Sequence, residues 1–280
     1  MSTHGGGVPY LQVSGGDAPR GWPLAFAHRG YAPNGEENTM AAFRAAVELG
    51  FGYLELDVRT TRDGVPMVFH DEELDRTTDG TGRVADRTLA ELRGVRVAGR
   101  EPIPTFEELL GEWPDIRLNV DVKDRAGVVP VARIIEDHGA HARVMLASFS
   151  DARRRQLTAA LGEPVAASGG LATVSLVTLL GPVGLSRLLR RRLRSIAALQ
   201  VPERHGPLRV VTPAFVRRAH AAGLHVHVWV VDDPGDMRRL LDMGVDGLMA
   251  DRADLLAEVM AERGQWPQYG AGAGPSRPPS

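Results

Sequence analysis

No cysteine occurs in the 280 residues. That excludes disulfides, a thiolate nucleophile and zinc sites built on thiolates, and it agrees with a reducing cytoplasm. No run of eighteen or more apolar residues is present, so no spanning helix is expected. Leu171 to Leu185 comes nearest and is too short and too interrupted by glycine and proline. The chain also lacks charge of one dominant sign: the formal net charge is −2, which gives no general case for nucleic-acid binding. The first twenty residues, rich in Gly, Pro, Ser and Thr, hold no apolar core of signal-peptide type and read as a flexible leader. The composition that remains, 43% hydrophobic and 24% charged, is that of a soluble globular protein.

Short strand-like runs alternate with helix-like ones, the pattern of repeated βα units. Strands are expected near 24–28, 53–58, 117–122, 144–148, 165–168, 197–201, 225–231 and 246–250. Helices are expected near 39–49, 104–112, 128–138, 151–161, 172–194, 212–222, 234–243 and 252–263. Eight of each predict a closed parallel (β/α)8 TIM barrel, a fold that takes about 250 residues as one domain. A doubly wound sheet is the competitor, but the turn after the first strand, HRGYAPNG, lacks the glycine spacing of a dinucleotide fold. The domain spans 21–264, with a small insertion after the second strand, about 63–103. Residues 265–280 have the composition of a disordered tail.

Chemistry-bearing residues concentrate between Leu24 and Asp79. Alternation along Tyr53 to Val58 puts Glu55 and Asp57 on one face and Leu54, Leu56 and Val58 on the other. Two buried carboxylates need a cation or a partner; a metal or bridging arginines would each serve. Asn119, Asp121 and Lys123 share one face of the third strand, either as an ordinary Asp–Lys pair or as a further oxygen ligand with a cation beside it. His28 and His70 flank the carboxylates and suit proton transfer near neutral pH. The planar donor fork of Arg29 fits phosphate oxygens, and Glu37 and Asn38 read as groups that hold Arg29 and the first loop. His225 and His227 read as satisfied core histidines, and DRTTDGTG (75–82) as a reverse turn.

The ordered runs HRG, EENT, ELDV and DGVPMVFHDEELDRTT, resumed at LNVDVK (118–123), VHVWVVDD (226–233) and GVDGLMADRADLL (244–256), carry a resemblance. Over roughly residues 24 to 256 the chain resembles the glycerophosphodiester phosphodiesterase family, of the phospholipase-C-like phosphodiesterase superfamily. The resemblance implies hydrolysis of a glycerophosphodiester to sn-glycerol 3-phosphate and an alcohol. It implies His28 and His70 as the acid–base pair, and Glu55, Asp57 and Asp121 as ligands of a divalent metal. Hard oxygen donors suit Mg2+ or Ca2+. Arg29 and Lys123 would bind phosphate, and Trp229, matching the family's tryptophan, would wall the substrate. Asp121 stands where the commoner pattern has glutamate. Two alternatives remain: a related phospholipase acting on intact lipid, against which HDEELDRTT and VWVVDD argue, and a non-catalytic barrel that binds phosphodiesters.

One segment supports two readings. Residues 171–194 fit an ordinary fifth barrel helix. A basic face of Arg187, Arg190, Arg191 and Arg194, opposite Leu188, Leu189 and Leu193, also fits peripheral contact with an anionic membrane.

Overall fold

Alternation decides which way each strand faces, and the second strand shows how. Leu54, Leu56 and Val58 are wholly buried against the surrounding helices. Each contributes about 1.5–3 kcal/mol by leaving water, enough to hold the strand with Glu55 and Asp57 turned inward. The computed structural model of the chain describes residues 8–11, 21–180, 193 and 195–269.

Eight parallel strands form the barrel: β1 (Leu24–His28), β2 (Tyr53–Thr60), β3 (Arg117–Val122), β4 (Val144–Ala147), β5 (Ala166–Ala167), β6 (Ala198–Pro202), β7 (His225–Trp229) and β8 (Gly247–Ala250). Their order around the sheet is β5-β4-β3-β2-β1-β8-β7-β6. A parallel bridge between Ser168 and Ala198 joins the two ends, with Ala197 N donating to Ala167 O at 2.7 Å and Gly169 N to Ala198 O at 3.0 Å. The helices are α1 (Met40–Leu49), α2 (Phe106–Glu112), α3 (Val128–Asp137), α4 (Asp151–Ala159), α5 (Leu171–Leu180), α6 (Pro213–Ala221), α7 (Pro234–Met243) and α8 (Ala253–Glu262). The expected TIM barrel is therefore the observed one.

Local signals account for the helix ends. Thr39 caps α1, its hydroxyl accepting from Ala42 N at 3.2 Å and donating to Glu36 O at 2.8 Å. Gly50 stops the helix in the left-handed conformation, φ 105°. The insertion after β2 begins with Pro66–Val68, antiparallel to β2, and has its own small core of Met67, Phe69, Leu74, Val84, Leu92, Val97 and Ile103. It stands beside the C-terminal end of β2, where barrels keep their sites.

Two terminal expectations need correction. Within the leader, Pro9–Leu11 form a 3-10 turn whose Tyr10 is buried. Tyr53 donates its hydroxyl to Tyr10 O at 2.8 Å, and the two rings meet edge-on at 5.5 Å. The first residues read as disordered tail, 265–269, also pack beneath the barrel. Gln268 is fully buried; its Nε2 donates to Pro23 O at 2.6 Å, and its Oε1 accepts from Ala25 N at 2.9 Å. Composition missed both because one buried aromatic or amide is enough to anchor a polar segment when it meets unpaired backbone at the barrel floor.

Of the segment 171–194, α5 and Leu193 are described. The arginines Arg187, Arg190, Arg191, Arg192 and Arg194 lie outside the described residues. Among the described residues, no helix is long and apolar enough to cross a membrane.

Candidate active site

The C-terminal ends of β1, β2 and β3, with the insertion, bring the expected residues together. His28, Arg29, Glu55, Asp57, His70, Asp121, Lys123 and Trp229 all line one cavity of about 200 Å3. Strand register sets the carboxylates: β2 and β3 pair with Glu55 opposite Asn119 and Asp57 opposite Asp121. All three carboxylates are buried.

Cations hold them there. Arg29 Nε is 3.1 Å from Asp57 Oδ2, and Lys123 Nζ is 2.7 Å from both Asp57 Oδ1 and Asp121 Oδ2. Burial pushes Asp57 up, but Lys123 and Arg29 outweigh it and hold the carboxyl below its usual range. Glu55 lacks such close pairing. Burial, and then the charge of Asp57, push it up to about 7. Asp121 Oδ1 is buried with no hydrogen-bond partner. A buried carboxyl that holds its proton more tightly than usual and an orphaned carboxylate oxygen are what a divalent cation would relieve. As the side chains stand, no group of three or more His, Asp or Glu among the described residues is close enough to form a metal cage; the Lys123 ammonium occupies the gap between Asp57 and Asp121.

The backbone is strained where β1 ends. Arg29 and Asn38 take positive φ, 56° and 60°, a conformation that non-glycine residues hold only when their surroundings insist. Asn38 N donates to Arg29 O at 2.9 Å, and Asn38 Nδ2 to Asp57 Oδ2 at 3.0 Å. Arg29 Nη1 donates to Glu37 Oε1 at 2.9 Å. Glu37 and Asn38 thus do hold Arg29 and its loop. Gly30 follows at φ 84°, where an added Cβ would come within 2.7 Å of the Ala42 carbonyl carbon.

Each histidine has an aspartate behind it. His28 Nδ1 is 2.6 Å from Asp251 Oδ1 at the end of β8, and His70 Nδ1 is 2.6 Å from Asp71 Oδ1. These contacts fix the ring orientations and turn Nε2 of each away from its aspartate, that of His28 lying 3.7 Å from Glu55 Oε2. Burial lowers His28, but Glu55 and Asp251 overcome it and its pKa is raised. At His70 burial prevails over Asp57 and Asp71, and its pKa is lowered.

Residues 28–255 match the model of the Glycerophosphoryl diester phosphodiesterase family. The chain belongs to that family. Its class as an enzyme, a phosphoric diester hydrolase, follows from that membership. The "Probable glycerophosphodiester phosphodiesterase 2" of Mycobacterium tuberculosis is 41% identical over 261 residues, covering 91% of this chain and 99% of that protein. The solved glycerophosphodiester phosphodiesterase of Agrobacterium tumefaciens has a TM-score of 0.70 at 26% identity, covering 84% of this chain and 99% of that one. An Oleispira antarctica phosphodiesterase, solved in complex with the product sn-glycerol-3-phosphate, shares the fold at a TM-score of 0.70 and 23% identity, covering 86% of this chain and 97% of that one.

In this member of the family, four features of the site are not marked by the sequence. Asp71 and Asp251 are two of them, although HD (70–71) and MAD (249–251) were in view as motifs. Arg76 is the third: it pairs with Asp71 and places Nη2 2.7 Å from Glu37 Oε1, tying the insertion to the β1–α1 loop. Phe149, after β4, meets Trp229 edge-on at 5.9 Å, and nothing in its local sequence marks it. The reading of His225 and His227 needs correction. His227 is wholly buried in the barrel, but neither of its ring nitrogens has a hydrogen-bond partner, nor does the buried Nδ1 of His225. His227 packs instead against Phe26 at 5.0 Å and His225 at 5.9 Å.

Proposed function

We propose that this chain hydrolyses glycerophosphodiesters to sn-glycerol 3-phosphate and an alcohol, with His28 and His70 as the acid–base pair. The observation that carries this reading is the meeting, in one cavity, of two aspartate-backed histidines with the Arg29 and Lys123 cations. A phosphodiester is an anion and repels nucleophiles. Arg29 and Lys123 offer fixed positive charge to its oxygens, already in place before substrate arrives. One histidine takes the proton of the attacking oxygen through Nε2, and the other gives a proton to the departing alcohol. Asp71 and Asp251 stabilise the imidazolium each histidine becomes. Glu37 and Asn38 keep Arg29 aimed, and Trp229 walls the substrate.

Glu55, Asp57 and Asp121 are the residues that would hold a divalent ion, their donors being hard oxygens suited to Mg2+ or Ca2+. Such an ion supplies Lewis-acid neutralisation of charge developing on phosphoryl oxygens. The orphaned Asp121 Oδ1 and the raised Glu55 support that assignment.

The test is release of glycerol 3-phosphate from sn-glycero-3-phosphocholine, before and after chelation and on return of Mg2+ or Ca2+. Activity lost on chelation and regained with either ion is expected. Undiminished release in excess chelator would remove the metal from the proposal. No release under any condition would remove the substrate class.

A further inference from the structure

The insertion supplies more to the site than His70. Its turn DRTTDGTG (75–82) is a well-braced platform that carries Arg76. Leu74 anchors one end in the insertion's small core. Thr78 N and Oγ1 donate to Leu74 O at 3.1 and 2.8 Å, Asp75 Oδ2 accepts from Gly82 N at 2.9 Å, and Asp79 Oδ1 accepts from Arg96 N at 2.7 Å. From this platform the Arg76 guanidinium reaches two carboxylates. Nε donates to Asp71 Oδ2, while Nη2 and Nη1 donate to Glu37 Oε1 and Oε2 at 2.7 and 3.2 Å. The remaining contacts of those carboxylates lead into the active site. Asp71 Oδ1 meets His70 Nδ1 at 2.6 Å, and Glu37 Oε1 also accepts from Arg29 Nη1 at 2.9 Å. The Arg76 bond is the largest of the influences that draw the Asp71 carboxyl down to about 2, so this acceptor stays charged at neutral pH. One cation thus stands midway along a bonded chain that runs His70, Asp71, Arg76, Glu37, Arg29.

We propose that Arg76 is a positioning residue for the reaction, setting the His70 ring through Asp71 and the Arg29 fork through Glu37. The inference rests on the phosphodiesterase reading above and adds to it a residue that does not itself line the cavity. An isolated exposed ion pair contributes little. Three bonds from one planar fork to two carboxylates are different, because they fix direction as well as charge. The backbone at His70 is held by other means. Phe69 N donates to Asp57 O at 2.9 Å and Arg59 Nε donates to His70 O at 3.0 Å, both from β2. Removing Arg76 therefore frees Asp71 and the imidazole to turn while the chain beneath them stays in place. Arg29 loses less, since its Nε keeps Asp57 Oδ2 at 3.1 Å and its backbone N keeps Glu55 O at 3.0 Å. The consequence is unequal, larger on proton transfer at His70 than on phosphate binding at Arg29. A lysine offers a point charge in place of the fork and does not reproduce it.

Glycerol 3-phosphate release from sn-glycero-3-phosphocholine tests this in the full chain with Arg76→Ala and Arg76→Lys. Arg76→Ala is expected to lower kcat about 100-fold, the scale of a roughly 1 Å misplacement, with a much smaller rise in KM. Arg76→Lys should lose as much. Millimolar guanidinium should restore about tenfold of the loss in Arg76→Ala by refilling the fork, and should do nothing for the parent or for Arg76→Lys. Sodium chloride at the same ionic strength should restore nothing. In a His70→Ala background, where there is no ring left to orient, adding Arg76→Ala should leave kcat nearly unchanged. A kcat close to the parent's in Arg76→Ala overturns the inference, whatever the melting temperature does, and leaves Arg76 as a clasp that only docks the insertion. A loss that guanidinium does not restore and that the His70→Ala background does not absorb overturns it as well. Should Arg76→Ala fail to fold, Arg76→Lys decides on the same terms: parental kcat overturns the inference and a loss of about 100-fold upholds it. Absence of glycerol 3-phosphate from the parent strikes the underlying reading instead.

Discussion

At the scale of single residues, the site is a set of charges that would be untenable apart. Asp57 is buried because Arg29 and Lys123 both reach it, and Arg29 keeps a strained backbone because Glu37, Asn38 and Asp57 grip it. The histidines follow the same logic, each oriented by an aspartate 2.6 Å away. His28→Ala and His70→Ala should each lower turnover about 100-fold or more, the usual contribution of a general acid or base. Asp251→Asn keeps a hydrogen-bonding group but removes the charge that favours the His28 imidazolium. It should lower kcat more than it raises KM and shift the pH–rate profile, while leaving the melting temperature close to that of the parent. An unaltered profile would show that Asp251 only packs against His28. The identities of His28 and His70 were legible from their motifs. The partner of His28 was not, because it lies 223 residues away and only closure of β8 onto β1 makes them neighbours.

At the scale of elements, the strands and helices were almost all where alternation and capping residues put them. Thr39 before an alanine-rich run and Gly50 after it mark α1 to within a residue. The exceptions are the short segments that seal the barrel floor, and there one side chain matters most. Gln268 pairs with Pro23 O and Ala25 N, two backbone groups just below or within β1. Gln268→Ala would leave both without partners, a loss of about 2–4 kcal/mol at the usual cost of such groups, or roughly 5–10 °C in melting temperature for a chain of this size. Circular dichroism melts of the variant and parent give the value; a shift under 2 °C would mean that water reaches the floor and replaces the amide.

At the scale of the whole molecule, the barrel interior is polar above and apolar below, and His227 lies in the apolar part. Burial, and then the neighbouring His225, hold its pKa well below the ordinary value. The charges of Asp246 and His220 act on His225, and among the described residues no carboxylate offsets the burial of His227. In the unfolded chain the same imidazole titrates near 6.5. The unfolded state therefore takes up its proton first as pH falls. The stability that neutral His227 contributes is full above about pH 6.5 and declines below it, by at most about 1.4 kcal/mol per pH unit. His227→Phe should flatten that decline between pH 6.5 and 5. Urea midpoints measured across that range decide the matter, and parallel curves for variant and parent would show that other groups set the acid limit.

The sequence by itself determined the architecture and the list of reactive groups. Period-2 alternation, helix caps and motif order are local properties, and eight βα units admit few arrangements other than a closed barrel. It also determined that Glu55 and Asp57 share one face of their strand, and Asp121 and Lys123 one face of theirs, since that follows from pleating alone. Only the tertiary structure decided which of these charges touch, because Lys123 between Asp57 and Asp121 depends on the register of β2 against β3. It alone decided the backing of His28 by Asp251 and the burial of a histidine without hydrogen-bond partners. Each of these is a contact between residues far apart in the chain. A linear pattern records which face a side chain takes, but not what closure of the sheet brings to meet it.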